Sequence, residues 1–282
     1  MNRRTFLSTA AVGAATLWVR PPNVFSFLQE NSLTLTREQM EEFLLTAEII
    51  DSEEIPIGIT RAQRATLSDG VLRHDAQIQS IDEYHSSFTA ANGVRELNFK
   101  DTYKFNIAAY LLDKILNLHM IPVSVDRKVR GKNSAVTWWI DDVLMSESAR
   151  LKQGIPSPDP NSWNCQMYIV RAFDQLIYNT DRNLNNLMIT KDWKIWMIDH
   201  TRAFRMMTSL RTPGDLVKCD RYLLAGLRRL TQTDLEDRLQ PYLTSMEIRG
   251  LLGRRDRIVE LFEKAAAASG EPAVLYDYLP RA

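Results

Sequence analysis

NTDRNLNNLMITKDWKIWMIDHTRAF, residues 179–204, holds two aspartates eighteen residues apart and an asparagine five residues after the first. Two short apolar runs, LNNLMIT and KIWMIDH, are joined through Lys191-Asp192, which predicts an antiparallel hairpin. Asp181 and Asn186 lie at the start of its first strand, and Asp199 lies at the end of its second. Because those two ends meet in an antiparallel pair, the three side chains are expected to converge.

Two carboxylates and an amide oxygen are hard ligands that suit Mg²⁺ or Mn²⁺ held jointly with phosphate oxygens. Phosphoryl transfer needs this layout, with one aspartate orienting an acceptor hydroxyl and the other groups holding the metal ions. A plain polar hairpin is the alternative. Turn chemistry accounts for Asn179, Thr180 and Asp192, but it does not account for the Asp–Asn–Asp spacing.

The pattern N-x-D-R-x-x-x-N…I-D resembles the catalytic and metal-binding segments of atypical kinases. These are the HipA type, the phosphatidylinositol kinases and the secretory-pathway kinases of the four-jointed type. The segment AAYLLDKILNLHMIPVSV also resembles their helix-then-strand segment, and the match covers roughly residues 55–205. The resemblance implies a nucleotide, ATP or another donor, bound with Mg²⁺ or Mn²⁺.

Individual roles follow from the same resemblance. It makes Asp181 the catalytic aspartate, and it makes Asn186 and Asp199 the metal ligands. Arg182 would brace the catalytic loop, and Asn179 would fix the backbone of that loop. The acceptor could be a protein, a sugar or a lipid headgroup, because no motif in the sequence identifies it.

Two charged residues that the resemblance leads us to expect at the nucleotide site are absent from the matching positions. Such kinases pair a lysine on the third strand with a glutamate on the next helix, but here Gln79 and Asn106 stand there. A buried lone charge would be costly, whereas a Gln–Asn pair can be satisfied by mutual hydrogen bonds. Lys100 or Lys104 is an alternative source of the cation. The chain is therefore either an active phosphotransferase or a pseudokinase that binds nucleotide.

Other candidate positions lie around the predicted cleft. Gly58 marks the first strand turn, where a structural turn and a phosphate-covering loop are both open. The run WWIDD is interpreted as the hinge between lobes, with adenine contacts expected at Trp139 and Asp141. His200 is interpreted as a structural histidine, with a substrate-side role as the minority alternative.

Periodicity along the chain predicts an α+β, two-lobed protein-kinase-like fold. Residues 29–142 are expected to form the N-lobe, a small antiparallel sheet with one packed helix. Residues 143–282 are expected to form a mainly helical C-lobe that carries the catalytic hairpin. A helix over 37–49 should open on a capping box, and capping boxes at Thr233/Glu236 and Thr244/Glu247 should open two later helices.

Composition and the N-terminal sequence narrow the range of possible functions. Lys+Arg (35) equals Asp+Glu (35), so the overall charge does not favour a nucleic-acid partner. The two cysteines are far apart and have no metal-ligand spacing. Residues 1–28, which begin MNRRTFL, resemble a twin-arginine signal of the kind that carries folded proteins across a bacterial inner membrane. The protein is expected to be exported or membrane-tethered, with a cytoplasmic location and a purely structural periplasmic role as alternatives.

Overall fold

The computed structural model describes residues 35–55, 62–89, 93 and 95–278. Thr36–Ala282 form one compact unit. The predicted signal at 1–28 and the predicted loop role of Gly58 lie outside the described residues. The predicted lobe boundaries at 29–142 and 143–282 also stay predictions.

Strands dominate the first half of the described chain and helices dominate the second. The helices are α1 (Arg37–Thr46), α2 (Lys104–Leu116), α3 (Glu147–Gln153), α4 (Pro160–Leu176), α5 (Arg221–Arg229), α6 (Gln232–Leu239), α7 (Ser245–Ser269) and α8 (Glu271–Val274). The strands are β1 (Glu48–Glu54), β2 (Gln63–Ser68), β3 (Arg73–Gln79), β4 (Asp82–Thr89), β5 (Arg95–Thr102), β6 (Ser124–Val129), β7 (Lys132–Trp138), β8 (Val143–Ser146), β9 (Leu187–Thr190), β10 (Ile195–Met197), β11 (Cys219–Asp220) and β12 (Leu275–Tyr276).

The small lobe is a five-stranded antiparallel sheet in the order β1-β2-β3-β7-β6. Helix α2 packs on β6 and β7 with a buried apolar face that includes Phe105, Ala108 and Leu112. These side chains recur at three- and four-residue intervals, which places them on one side of a helix. The structure therefore contains the predicted sheet, the helix packed on it, and the two-lobed α+β arrangement.

Several elements are absent from the sequence-based predictions. The hairpin β4–β5 is almost wholly exposed over β4, so no alternation of apolar and polar residues marks it. Strand β1 is also mostly exposed, because it lies at the edge of the sheet. Helix α1 ends at Thr46, short of the predicted 49, since Ala47 is already extended and β1 begins at Glu48.

The helical lobe is built around the 25-residue helix α7, against which α4, α5 and α6 pack. The capping box at Thr244 and Glu247 is present, as predicted. The other prediction, at Thr233 and Glu236, is wrong. Helix α6 begins two residues earlier, because Thr231 and Asp234 form the capping box instead. Aspartate at that position makes the same reciprocal bond as glutamate, which is why the prediction missed it.

The predicted catalytic hairpin is β9–β10, antiparallel with Leu187 opposite Met197. Strand β8 adds to its other side and completes a three-stranded sheet, β10-β9-β8. Residues 139–142 therefore carry the chain from the five-stranded sheet to this second sheet, at the position expected for a hinge.

Two further findings concern the cysteines and the possibility of a membrane-spanning helix. Cys165 and Cys219 are not joined in a disulfide. Within the described residues, no helix is both long enough and apolar enough to cross a bilayer.

Candidate active site

The loop after α4 presents Asp181 to solvent on a fixed backbone. The Asn179 side chain is buried; its Oδ1 accepts from the Asp181 backbone N–H at 3.0 Å, and its Nδ2 donates to Asp174 at 3.0 Å. This is the backbone contact that the resemblance predicts for Asn179. The Asp181 carboxylate itself is 51% exposed, so it is accessible to an acceptor molecule.

Arg182 joins this loop to the end of the hairpin. Its Nε and Nη2 donate to the two oxygens of Asp174, at 2.9 and 3.1 Å. Its Nη1 donates to the backbone carbonyls of Asn186 and Ile198, both at 2.9 Å. A bidentate ion pair is geometrically specific, so one guanidinium fixes the loop and both strand ends relative to α4. Through these contacts Arg182 holds the loop in place.

The strand register places Asn186 beside Asp199. Leu187 pairs with Met197, and the Ile198 N–H donates to the Asn186 carbonyl at 3.0 Å. The start of β9 and the residue after β10 therefore lie at the same end of the hairpin. Asp199 has a φ of 55°, a left-handed conformation that aspartate tolerates better than most residues.

The Asp199 carboxyl lies in an environment that disfavours its charged form. Burial raises its pKa above the usual value, and the carboxylates of Asp101 and Asp181 raise that pKa further. A hydrogen bond from Thr201 Oγ1 at 3.2 Å acts in the opposite direction. The site thus has excess negative charge, which a cation would relieve.

Arg202 is the positive group of this cluster. Its Nε donates to Asp101 Oδ2 at 2.7 Å, and its Nη1 lies 3.6 Å from Asp181 Oδ2. The guanidinium therefore bridges the end of β5 and the loop that carries Asp181. With Asp199, these groups comprise three carboxylates and one guanidinium.

His200 is a structural histidine, in keeping with the main sequence interpretation. It is buried, and Arg182 Nη2 donates to its Nε2 at 2.9 Å. Burial lowers the pKa of His200 well below its usual value, and the charge of Arg182 lowers that pKa further. The ring is neutral, with Nε2 as the acceptor.

Gln79 and Asn106 form a hydrogen-bonded pair in the place of the expected lysine and glutamate. Asn106 Nδ2 donates to Gln79 Oε1 at 2.5 Å, and both residues are buried. The Asn106 Oδ1 accepts from the backbone N–H of His200 at 2.7 Å. The pair thus connects β3, α2 and the residue that follows Asp199. A role for Gln79 and Asn106 in cofactor binding stays a prediction.

The two lysines proposed as substitutes form ion pairs with other residues. Lys100 Nζ lies 2.5 Å from Glu247, and Lys104 Nζ lies 3.2 Å from Asp82. Each ammonium group therefore already has a carboxylate partner outside the Gln79–Asn106 pair.

At the hinge, the two residues expected to contact adenine make contacts with the sheet. The Trp139 N–H donates to the Asp75 carbonyl at 3.1 Å, and Arg64 stacks over the Trp139 ring at 4.5 Å. Asp141 pairs with His74 at 2.8 Å. Adenine binding at Trp139 and Asp141 stays a prediction.

The inner end of the cleft is tightly packed. A cavity of about 10 Å³ lies between the sheet and the hairpin, where Gln77, Asn106, Thr137, Ile198 and Asp199 are among its walls. That is room for about one water molecule. A ligand as large as a nucleotide would not fit this cavity unless the sheet moved away from the hairpin.

The oxygen donors of this site fit a metal ion only if the oxygens of a bound phosphate complete its coordination. Over the described ranges, no three His, Cys, Asp or Glu side chains converge to hold a metal ion. The backbone of Asn186 accepts from Ile198, the residue before Asp199, and Asp181 lies near Arg202 of the same cluster. Oxygen donors of this kind suit Mg²⁺ or Mn²⁺ when phosphate oxygens complete the coordination.

Two solved structures share the architecture over most of the chain. Hydra Fam20, solved with sugar, superposes with a TM-score of 0.65 at 14% sequence identity, covering 85% of this chain and 92% of that one. The proinflammatory kinase CtkA of Helicobacter pylori superposes with a TM-score of 0.53 at 10% identity, covering 80% of this chain and 97% of that one. The chain has a kinase-like fold.

Sequence comparison adds no closer relationship. No protein-family model matches the chain, and no curated protein matches it. The kinase-like fold is therefore established by structural similarity. Sequence identities of 14% and 10% do not establish an activity.

Three polar residues of this kinase-like site are missing from the sequence-based prediction: Asp101, Asp174 and Arg202. Asp174 lies five residues before Asn179, so its position near the end of a helix was a signal that could have been used. Arg202 lies three residues after Asp199 in the quoted segment. Asp101 had no such signal, because β5 was not predicted.

Proposed function

We propose that the protein is a kinase-like phosphotransferase that uses a metal-bound nucleotide. The observation that carries this proposal is the register of β9 and β10, which brings Asn186 beside Asp199. Asp181 joins them through the shared partner Arg202 and is exposed toward solvent. The kinase-like fold supports the same reading.

Each residue has a distinct role in this proposal. Asp181 orients the acceptor hydroxyl and takes its proton, since its carboxylate is accessible. Asn186 and Asp199 would hold Mg²⁺ or Mn²⁺, and the cation would supply charge neutralisation for the transferred phosphoryl group. Arg182 keeps these groups in register through Asp174. Sugar and protein acceptors are the first to test, given the sugar in the hydra Fam20 structure and the kinase CtkA.

A transfer assay tests the proposal. The wild-type chain is incubated with γ-labelled ATP, Mn²⁺ or Mg²⁺, and panels of sugars, glycopeptides and proteins. Asp181→Asn and Asp199→Asn should each lower the rate by roughly 100-fold or more, because each removes a group that acts on the reacting phosphoryl or hydroxyl. Asp237→Asn is the matched control, since Asp237 is exposed on α6. Undiminished transfer by Asp199→Asn would contradict the proposal.

A pseudokinase that binds nucleotide without transfer is the second candidate. The buried Gln79–Asn106 hydrogen bond favours it, because it replaces the charged pair that usually positions nucleotide phosphates. Calorimetric titration with ATP, with and without Mn²⁺, separates the two candidates. Saturable binding together with no transfer to any acceptor would support the pseudokinase.

We also propose that residues 1–28 direct export or tether the protein to a membrane. The basic start and the short apolar run support this. A tagged chain with Arg3→Lys and Arg4→Lys, compared with the wild type by cell fractionation, tests it. Equal distributions of the two proteins would argue against a twin-arginine signal.

A further inference from the structure

Asp101, at the end of β5, reaches the candidate active site from a different element. The Thr102 N–H donates to the Thr201 carbonyl at 3.0 Å, which fixes the end of β5 against the segment after Asp199. The Asp101 side chain is 3% exposed. A carboxylate that is this deeply buried needs donors or cations around both of its oxygens.

Only one of the two Asp101 oxygens has such a partner. Oδ2 accepts from Arg202 Nε at 2.7 Å, whereas Oδ1 is buried and has no hydrogen-bond partner. Leaving a buried carboxylate oxygen unpaired is unfavourable, and each such atom in a folded protein calls for an explanation. An ion that binds only under some conditions is one such explanation.

The charges around Asp101 point to a cation. Asp101 and Asp181 share Arg202 as a partner. The Thr201 hydroxyl donates to Asp199 Oδ1, and the Thr201 carbonyl accepts from the residue after Asp101, so Asp199 lies in the same cluster. Three carboxylates with one guanidinium leave two negative charges uncompensated. One divalent cation would balance them.

Arg202 is also placed to leave this position. Its side chain is 27% exposed, so it has a route to solvent.

We propose that Asp101 is a further ligand of the divalent cation, beside Asn186 and Asp199, and that Arg202 takes the place of that cation when none is bound. This inference rests on the proposed function, because it concerns the same metal site. A guanidinium is wider than a metal ion. Its presence fits the finding that no three acidic side chains converge to hold a metal ion among the described residues. On cation binding, Arg202 would swing out and Asp101 would join Asn186 and Asp199 at the ion.

The competing explanation is that Asp101 and Arg202 form a structural pair that only connects β5 to the hairpin. The two explanations predict opposite results for Arg202. A structural pair, once broken, loosens the site and weakens cation binding. An internal competitor, once removed, strengthens cation binding.

Titration with Mn²⁺ alone, followed by electron paramagnetic resonance of the free ion, measures the affinity without nucleotide or turnover. In the full chain, Arg202→Gln should raise the Mn²⁺ affinity about tenfold, and Asp101→Asn should lower it about tenfold, within the range usual for groups that act on a bound metal. Arg228→Gln and Asp237→Asn are the matched controls. Arg228 is half-exposed on α5 and paired with Glu263, and both controls should bind Mn²⁺ like the wild type.

A double variant decides whether Asp101 binds the ion or acts only through Arg202. Asp101→Asn in the Arg202→Gln background should still lower Mn²⁺ affinity about tenfold if Asp101 is a ligand. No further change in the double variant would overturn that assignment. An unchanged or lower affinity in Arg202→Gln would overturn the competition, and misfolding cannot imitate the predicted increase.

Asp199→Asn separates this inference from the proposed function. If Asp199→Asn leaves Mn²⁺ affinity unchanged, the metal site itself is wrong and both proposals fail. If Asp199→Asn abolishes binding while the Asp101 and Arg202 variants match the wild type, only the present inference fails. If Asp101→Asn does not fold, the sign of the Arg202→Gln effect decides alone.

Discussion

Arg182 and its neighbours determine the geometry of the candidate active site at the level of single side chains. One guanidinium contacts Asp174, two backbone carbonyls and the neutral ring of His200. Because His200 accepts from a permanent cation, a proton on its Nε2 would place two positive charges in contact. The folded chain therefore excludes protonated His200, whereas the unfolded chain permits it.

This exclusion predicts a specific pH dependence of stability. The pKa of His200 is well below 6.5 in the folded chain and close to that value in the unfolded chain. Below pH 6.5 the unfolded chain binds a proton that the folded chain does not, so stability falls as the pH falls. The loss should be about 1.4 kcal/mol per pH unit below that value until the folded pKa is reached.

His200→Gln provides the comparison, because its amide oxygen can accept from Arg182 without titrating. Urea denaturation at pH 7 and pH 5 should give a smaller loss of stability for the variant than for the wild type. The same loss in both proteins would show that other groups cause the acid sensitivity.

At this scale the sequence predicted which of the proposed site residues lie near one another better than it predicted what surrounds them. Asp181, Asn186 and Asp199 lie within one hairpin, so their proximity follows from chain connectivity and register. Asp101 lies 80 residues before Asp181 in the sequence. Its approach depends on tertiary packing, which local patterns do not encode.

Among the elements, one helix start was predicted correctly and another was not. The predicted cap at Thr244 is present, but α6 uses Thr231 and Asp234 rather than Thr233 and Glu236. Thr231→Ala should therefore cost about 1 kcal/mol of unfolding free energy, the usual effect of losing an N-cap hydroxyl.

Thr233→Ala is the matched control, since Thr233 lies two residues further along the same exposed turn. It should change the stability by less than about 0.5 kcal/mol, as is usual for surface positions. Chemical denaturation of both variants measures the difference. The reverse order of effects would place the start of α6 where the sequence pattern put it.

The link between β3 and α2 supports a second prediction about elements. Gln79→Lys or Asn106→Glu alone would bury an unpaired charge and should destabilise the chain by about 3–5 kcal/mol. The double variant Gln79→Lys/Asn106→Glu should recover much of that loss through an ion pair. It should also bind ATP more tightly than the wild type, because the lysine can contact the phosphates.

Denaturation curves and ATP titrations on the four chains complete this double-mutant cycle. Additive destabilisation in the double variant would mean that the two positions do not face each other as the structure shows.

Strand pairs with one buried face were predictable from sequence, whereas β4 was not, because both of its faces meet water.

At the level of the whole molecule, the two lobes meet through the site itself. Asn106 on α2 accepts from the backbone of His200, and the Met197 N–H donates to the Met120 carbonyl at 2.8 Å. Movement of the sheet relative to the hairpin therefore changes the surroundings of Asp199. We therefore expect the position of the sheet and the surroundings of Asp199 to change together.

The most direct test of the central claim is the position of a bound cation. Crystals grown with Mn²⁺ and a non-hydrolysable ATP analogue would be measured at a wavelength where manganese scatters anomalously. We expect a peak about 2 Å from side-chain oxygens of Asn186 and Asp199, the distance at which hard cations bind oxygen, with Asp181 facing the terminal phosphate. A nucleotide bound without such a peak, or with manganese bound only elsewhere, would contradict the account.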